Sequence, residues 1–256
     1  MAASHSASPH ERGPQPAAAS YPAVVGFALG IISVLAMVLS GFGTRLGLWH
    51  FGTGFSILKW AAYGALTASV VSMTILIVAL VQNRRRDLLI GIAGLVIGLS
   101  SAWFPWSWLQ TARSVPPIHD ISTDTANPPK FVAILPLRKD APNSTDYEGG
   151  DLAEQQRTGY PDLAPVMLPE KPEIAFEKAV AAARSMGWTL VDVDSGKMRI
   201  EATDTTFWFG FKDDIVVRVV ADGRGSRIDV RSVSRVGKSD VGTNAKRIRE
   251  YIDRLE

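Results

Sequence analysis

Near the end of the chain, five polar residues carry the most suggestive spacing: Arg231, Arg235, Lys238, Ser239 and Arg247. Arg231 and Arg235 lie four apart in the run Arg-Ser-Val-Ser-Arg-Val-Gly-Lys-Ser-Asp. On a strand, residues an even number apart project from one face, so the two guanidinium groups point together. Lys238 follows, Ser239 is placed to start a helix, and Arg247 lies two turns into it. Arginine forks beside a helix N-terminus suit phosphate or carboxylate groups, and the five form a candidate anion site. The competing reading is that these arginines only pair with Asp213, Asp229 and Asp240.

Other combinations promise less. Asp213 and Asp214 could form a carboxylate pair for acid–base work or a divalent cation. Adjacent strand residues face opposite ways, however, and cannot grip one atom without a bulge. A hairpin centred on Arg224 sets Asp213 opposite Arg235 and Asp214 opposite Ser234, which makes Asp213 and Arg235 a candidate structural ion pair. A one-residue slip would exchange the faces. His119, Asp120 and Asp124 invite a metal or general-base reading. The other histidines, His5, His10 and His50, lie in or before the apolar half, so ligands do not converge and no metal or cofactor is expected. Asp and Thr around His119 are better suited to fixing turns. The serines have no histidine base beyond His119, which argues against a serine hydrolase. With 0 cysteines, disulfides and thiolate chemistry are excluded. The net charge of +2 comes with no basic stripe interleaved with aromatics, so no nucleic acid partner is expected.

These residues belong to a C-terminal half with regular patterning. Pro172 suits a first helical turn, Glu173 and Glu177 complement its positive end, and Ile174, Phe176, Val180 and Ala183 supply a buried stripe that Gly187 can cap. Strands are predicted at 188–193, 198–203, 215–221 and 227–235, joined by hairpin turns at 194–197 and 222–226. A final helix, capped by Ser239, places Val241, Ile248, Tyr251, Ile252 and Leu255 on one face. Between Pro116 and Pro172 the chain holds ten of its 15 prolines, a turn-rich strap (114–171) in which 131–137 could be a strand. Its Phe131, Ile134, Leu135, Tyr147 and Tyr160 favour packing on the domain over a free linker.

The N-terminal half is of another kind. Residues 1–20 read as a disordered tail. Three apolar runs follow, at 23–42, 60–81 and 88–108, each long enough for a bilayer core of roughly 30 Å and each without Asp, Glu, Lys or Arg. The first lacks a basic leader and is too long for a signal peptide core, so it reads as retained. Arg84, Arg85 and Arg86 in the short second loop place that loop in the cytoplasm, and with it the 44–59 loop and residues 113–256 outside. Trp49, Trp60, Trp103, Trp106 and Trp108 would then share the outer interface. Small-residue stripes (Gly26/Gly30, Gly64/Ala68/Ser72, Gly94/Gly98) suit a compact bundle or a homo-oligomer. Uncharged spans disfavour an ion or proton path.

Two stretches are more specific. Pro117-Ile118-His119-Asp120-Ile121-Ser122-Thr123-Asp124-Thr125 precedes Asn127-Pro128-Pro129. Trp208-Phe209-Gly210-Phe211-Lys212-Asp213-Asp214 is followed by the run from Asp229 to Asn244. Together they resemble the bacterial family called domain of unknown function fourteen-ninety-nine, over about residues 116–255. The resemblance implies an envelope domain with no established activity and no catalytic residues to transfer. The expected fold is an α-helical anchor of three transmembrane helices plus a soluble α+β domain, an antiparallel four- to five-stranded sheet with two helices on one face. The expected role is a non-catalytic binding or scaffold domain in the bacterial inner membrane, its C-terminal domain (113–256) periplasmic. It would serve a partner protein or an anionic envelope component. The alternative is an envelope hydrolase or transferase using Asp213, Arg231, Arg235 and Asp240.

Overall fold

The structure, a computed structural model, describes residues 19–255. The expected N-terminal tail therefore falls almost wholly outside the described residues. The chain divides into two compact units, one made of helix residues up to Val38 with Ile57–Phe104, the other of Leu39–Ser56 with everything from Pro105.

Three helices are long and apolar enough to cross a membrane: α1 (Tyr21–Arg45), α2 (Phe51–Val81) and α3 (Arg85–Ser114). They are longer than the apolar runs that announced them. The 44–59 loop shrinks to residues 46–50, because α2 starts at Phe51, where the His50 ring accepts a hydrogen bond from the Gly52 N–H at 3.2 Å. In the first unit the small-residue stripes face neighbouring helices. A Cβ on Gly98 would lie 2.3 Å from Ser69 Oγ and 2.9 Å from the Ala65 carbonyl, so only glycine permits this approach. Asp87, at the start of α3, is buried, accepts the Ser20 N–H at 2.7 Å and pairs with Arg84 at 3.2 Å.

The second unit is built on one antiparallel sheet of six strands, one or two more than expected. Its path is β1-β6-β5-β4-β3, and β2 also pairs with β6. The four strands foreseen are β3 (Thr189–Asp194), β4 (Arg199–Thr205), β5 (Lys212–Asp222) and β6 (Gly225–Ser234). The additional ones, β1 (Asp120–Ser122) and β2 (Val166–Leu168), are three residues each and come from the proline-rich segment. Runs so short carry no alternation, and they exist only because β6 offers a free edge to each. Segment 131–137 is no strand: it bends into a 3-10 turn, Leu135–Arg138. A helix, α4 (Gly150–Gly159), forms where only strap was expected.

Helix α5 (Pro172–Ser185) starts on Pro172 with Glu173 in its first turn, and α6 (Thr243–Ile252) closes the chain. The N-cap of α6 is Gly242, at φ +79°, rather than Ser239, and Asp240 two residues earlier turns its carboxylate onto the N–H groups of Gly242 and Asn244 at 2.9 and 2.8 Å. Ala175, Ala179 and Ala183 of α5 and Ile248 and Tyr251 of α6 join Ile200, Ile215, Val217, Val219, Ile228 and Val230 in one core. The small alanines let Tyr251 come close enough to donate to the Ala179 carbonyl at 2.9 Å and to stack on Trp188 at 5.0 Å. The alternate residues of the same strands point to the other face, where Val216 and Val233 meet Phe131 and Ile134 of the strap in a second, smaller core.

Candidate functional site

The hairpin between β5 and β6 sets where every candidate side chain points. Its turn has two residues, Gly223 and Arg224, with Asp222 paired to Gly225 and Gly223 at φ +57°. The register is therefore one residue away from a turn centred on Arg224. Asp213 faces Ser234, Asp214 faces Val233, and the two carboxylates exchange sides of the sheet. The proposed ion pair is corrected accordingly: Arg235 binds Asp214 in a two-pronged contact at 2.8 and 2.9 Å, while Asp213 receives Arg247 at 2.6 Å.

On the strap face the charges form a lattice under the proline-rich segment. Asp214, fully buried, is held by Arg235, by Arg138 from the 3-10 turn at 2.7 Å, and by Thr203 at 2.6 Å. Burial alone would raise its pKa, but hydrogen bonds from Arg235, Thr203 and Arg138 outweigh that and hold the carboxyl below its ordinary range. Arg231 is 2% exposed and grips Asp120 with two bonds of 2.9 and 2.7 Å. Two further donors reach the Pro129 and Thr145 carbonyls, and its guanidinium carbon lies 5.3 Å from the ring centroids of both Phe131 and Tyr147. Burial, then the nearby Asp120 charge, pushes the Tyr147 hydroxyl up to about 12. Asp229 takes Arg218 and Arg227, and both reach on to Asp124, which also accepts the Ala126 and Asn127 N–H groups and so fixes a turn. Glu201, with no exposed surface, accepts the N–H groups of Val132, Ala133 and Ile134 at 2.9, 3.1 and 2.9 Å.

The helix face carries a separate cluster. Arg247 donates to Asp213, to Asp204 at 2.8 Å, to Ser232 at 3.1 Å and to Asn244. Burial would lower its pKa, but the charges of Asp213 and Asp204 more than restore it. Asp240 sits at the edge of this group. Burial raises its carboxyl pKa, the Asn244 and Gly242 N–H groups oppose that, and the Asp213 charge adds to the rise.

The five candidate anion-site residues are thus divided. Arg231 and Arg235 lie on one face of the sheet, Arg247 on the other, and every arginine is already bound to a carboxylate. Lys238 is exposed, and the Ser239 hydroxyl accepts the Val241 N–H at 3.1 Å. The same division separates Arg231 and Arg235 from Asp213. A shallow groove beside α4 is lined by Pro116, Pro117, Asp151, Glu154, Gln155, Thr158 and Gly159, none of them a candidate. The His119 ring meets the Lys238 carbonyl at 3.4 Å and its own carbonyl accepts the Ser234 N–H and the Asn244 amide, and among the described residues no three His, Asp or Glu side chains gather as a metal site would require. The partners missed from sequence were Asp120, Arg138 and Glu201; Asp229 was foreseen as an arginine partner, but it takes Arg218 and Arg227 rather than Arg231 or Arg235. One signal was there: Arg199, Glu201 and Thr203 recur at period two on β4, as do Asp214 and Arg218 on β5, and mark a polar face turned inward.

No curated protein matches the chain. A family described as protein of unknown function (DUF1499) matches residues 120–255, from the first residue of β1 to the buried Leu255 after α6. The match takes in the sheet, the strap, the charge lattice and both capping helices, and leaves the three apolar helices outside. Since it covers more than half of the sequence, the chain belongs to the DUF1499 family.

Proposed function

We propose that this protein is a membrane-anchored, non-catalytic scaffold that displays its C-terminal domain outside the cytoplasm to a protein partner. The observation that carries the reading is that the buried aspartates are already engaged: Asp214 by two arginines and a threonine, Asp213 and Asp120 by one arginine each. Asp214, held below its ordinary range, is a poor general base, and an arginine already in a two-pronged pair with a carboxylate has no fork to offer a substrate anion. What the lattice does supply is stiffness. It clamps a proline-rich segment against the sheet, and on the outer side of that segment Val132, Leu135 and Leu137 are about half exposed, at 50, 46 and 54%. Aliphatic side chains fixed on a rigid backbone bind a protein surface at low entropic cost.

Sidedness rests on charge. Arg84 precedes α3 and Arg85 and Arg86 open it, and the three together favour the cytoplasm, which would set the chain after α3 on the opposite side. Fusing alkaline phosphatase after Arg113 should give an active enzyme and fusing it at Asn83 should not; the reverse pattern would refute external display. For binding, a photo-crosslinking residue at Val132, Leu135 or Leu137 in intact cells should give a discrete adduct that is absent when the same residue replaces Val220. Equal labelling at all positions would remove the strap from consideration as a docking face.

A further inference from the structure

The connection between β4 and β5, Thr206-Phe207-Trp208-Phe209-Gly210-Phe211, is strongly aromatic, and most of it is accounted for within the second unit. Phe209 stacks on Phe211 at 5.4 Å and meets Phe55 of α2 at 5.0 Å, and Phe211 meets Phe51 at 5.9 Å. The Trp208 indole lies over Gly41 of α1, where a Cβ would be 2.3 Å from its ring. Gly210, at φ +70°, turns the chain against Arg45, whose guanidinium donates to the Thr206 and Phe207 carbonyls at 2.7 and 2.8 Å.

Phe207 is the exception. Its ring touches Phe42 edge-on at 5.5 Å yet remains 77% exposed. The backbone beneath it is gripped by Arg45, so this exposure is built into the loop. Two further large apolar side chains, Leu46 and Leu48, stand 72% and 68% exposed in the short turn that follows α1. All three lie at the end of a helix long and apolar enough to cross a bilayer. We propose that Phe207, Leu46 and Leu48 form a lipid-inserting tip, so that the family domain has its own attachment to the bilayer surface in addition to its covalent link to α3. The occupant is the interfacial layer of the membrane that holds α1. The tip continues the apolar surface of that helix, and Arg45, a basic group that holds the loop beneath it, suits the level of phosphate headgroups.

The chain has 0 cysteines, which makes single-cysteine labelling clean. The full-length protein, reconstituted in phosphatidylcholine–phosphatidylglycerol liposomes, is labelled with an environment-sensitive fluorophore at Phe207→Cys, Leu46→Cys, Leu48→Cys or Val220→Cys. Val220 lies on β5 eight residues from Lys212, about 26 Å along the strand from the loop at roughly 3.3 Å per residue. Doxyl lipids should quench the labels at 207, 46 and 48 at least about threefold more than the label at 220, as expected for side chains some 5–10 Å into the interface. Iodide in the buffer should show the opposite preference. A label at 207 that follows 220 while 46 and 48 are quenched by lipid would overturn insertion by the family domain. Absence of lipid quenching at all three would overturn the tip altogether.

Discussion

The distribution of charge over single residues decides how this domain responds to mutation and pH. Asp214 collects Arg138, Arg235 and Thr203 in a fully buried position. Asp214→Ala should destabilise the domain by about 3–5 kcal/mol, the usual cost of leaving buried charges without their partner. Arg138→Met, which removes one of two cationic partners and keeps the stem, should cost much less; equal losses in thermal or chemical denaturation would show that the carboxylate is not the hub. Two of the perturbed aspartates, Asp214 and Asp240, work in opposite directions with pH. For Asp214 the folded pKa lies below the unfolded value of about 3.9, so its stabilisation is present above that value and fades as pH falls through the depressed pKa. For Asp240 the folded pKa is raised, chiefly by burial, so its favourable contribution is complete below about 3.9 and is lost as pH rises through the raised value. Asp240→Asn should therefore melt higher relative to wild type as pH climbs from about 4 into the neutral range. A difference in melting temperature that stays flat over that range would contradict the assignment.

Elements differ in how plainly the sequence announced them, and the reason is physical in each case. Helix α5 was legible because Pro172, Glu173 and an apolar stripe agree, although Ile174 of that stripe stands 50% exposed and the small Ala175 and Ala179 line the buried face with Phe176, Val180 and Ala183; the strands whose alternation is long enough to register were legible too. The β5–β6 register was missed by one residue because a turn containing Gly223, Arg224 and Gly225 can be centred in more than one way, and only the paired backbone chooses. That slip was enough to misassign both aspartates. The strap was read as packed, which is correct for Phe131 and Ile134, but its path depends on side chains distant in sequence. Glu201 gathers three consecutive strap N–H groups, and no local pattern in 131–137 reveals that a carboxylate 67–69 residues away will curl it. Since those N–H groups are the strap's polar anchor, Glu201→Ala should release it. Limited proteolysis should then cut first between Pro129 and Asn143, while Glu201→Gln, which keeps an acceptor, should be cut more slowly. Identical digestion of wild type and Glu201→Ala would show that Phe131 and Ile134 hold the strap without help.

At the scale of the whole molecule, the boundary of the family match is not the boundary of the folded unit. The match starts at residue 120, whereas the compact unit that contains the sheet also includes Leu39–Ser56. Sequence alone suggests that 116–256 is self-sufficient, and its core supports this: α5, α6, the sheet and the strap all lie inside that segment. Ile248 and Tyr251 have no exposed surface and Leu255 has 3%, so a chain ending at Val241 should fail to fold. The β4–β5 connection is another matter. Phe209 is only 8% exposed in the full chain, and its ring partners beyond the connection include Phe55; Phe211 likewise meets Phe51 and Phe55. Cutting away residues 39–56 strips those partners and uncovers two phenyl rings beside the already exposed Phe207, each ring contributing on the order of 150–250 Å² of buried area when covered. A contiguous apolar patch of that size on a small domain drives association. The fragment 116–256 should therefore unfold cooperatively but sediment as oligomers at micromolar concentration, and Phe207→Ser with Phe209→Ser should return it to a monomer with little change in melting temperature. A wild-type fragment that stays monomeric would mean the connection refolds over its own rings. A substituted fragment that loses its cooperative transition would place Phe209 in the core of the domain rather than at its junction with α1 and α2.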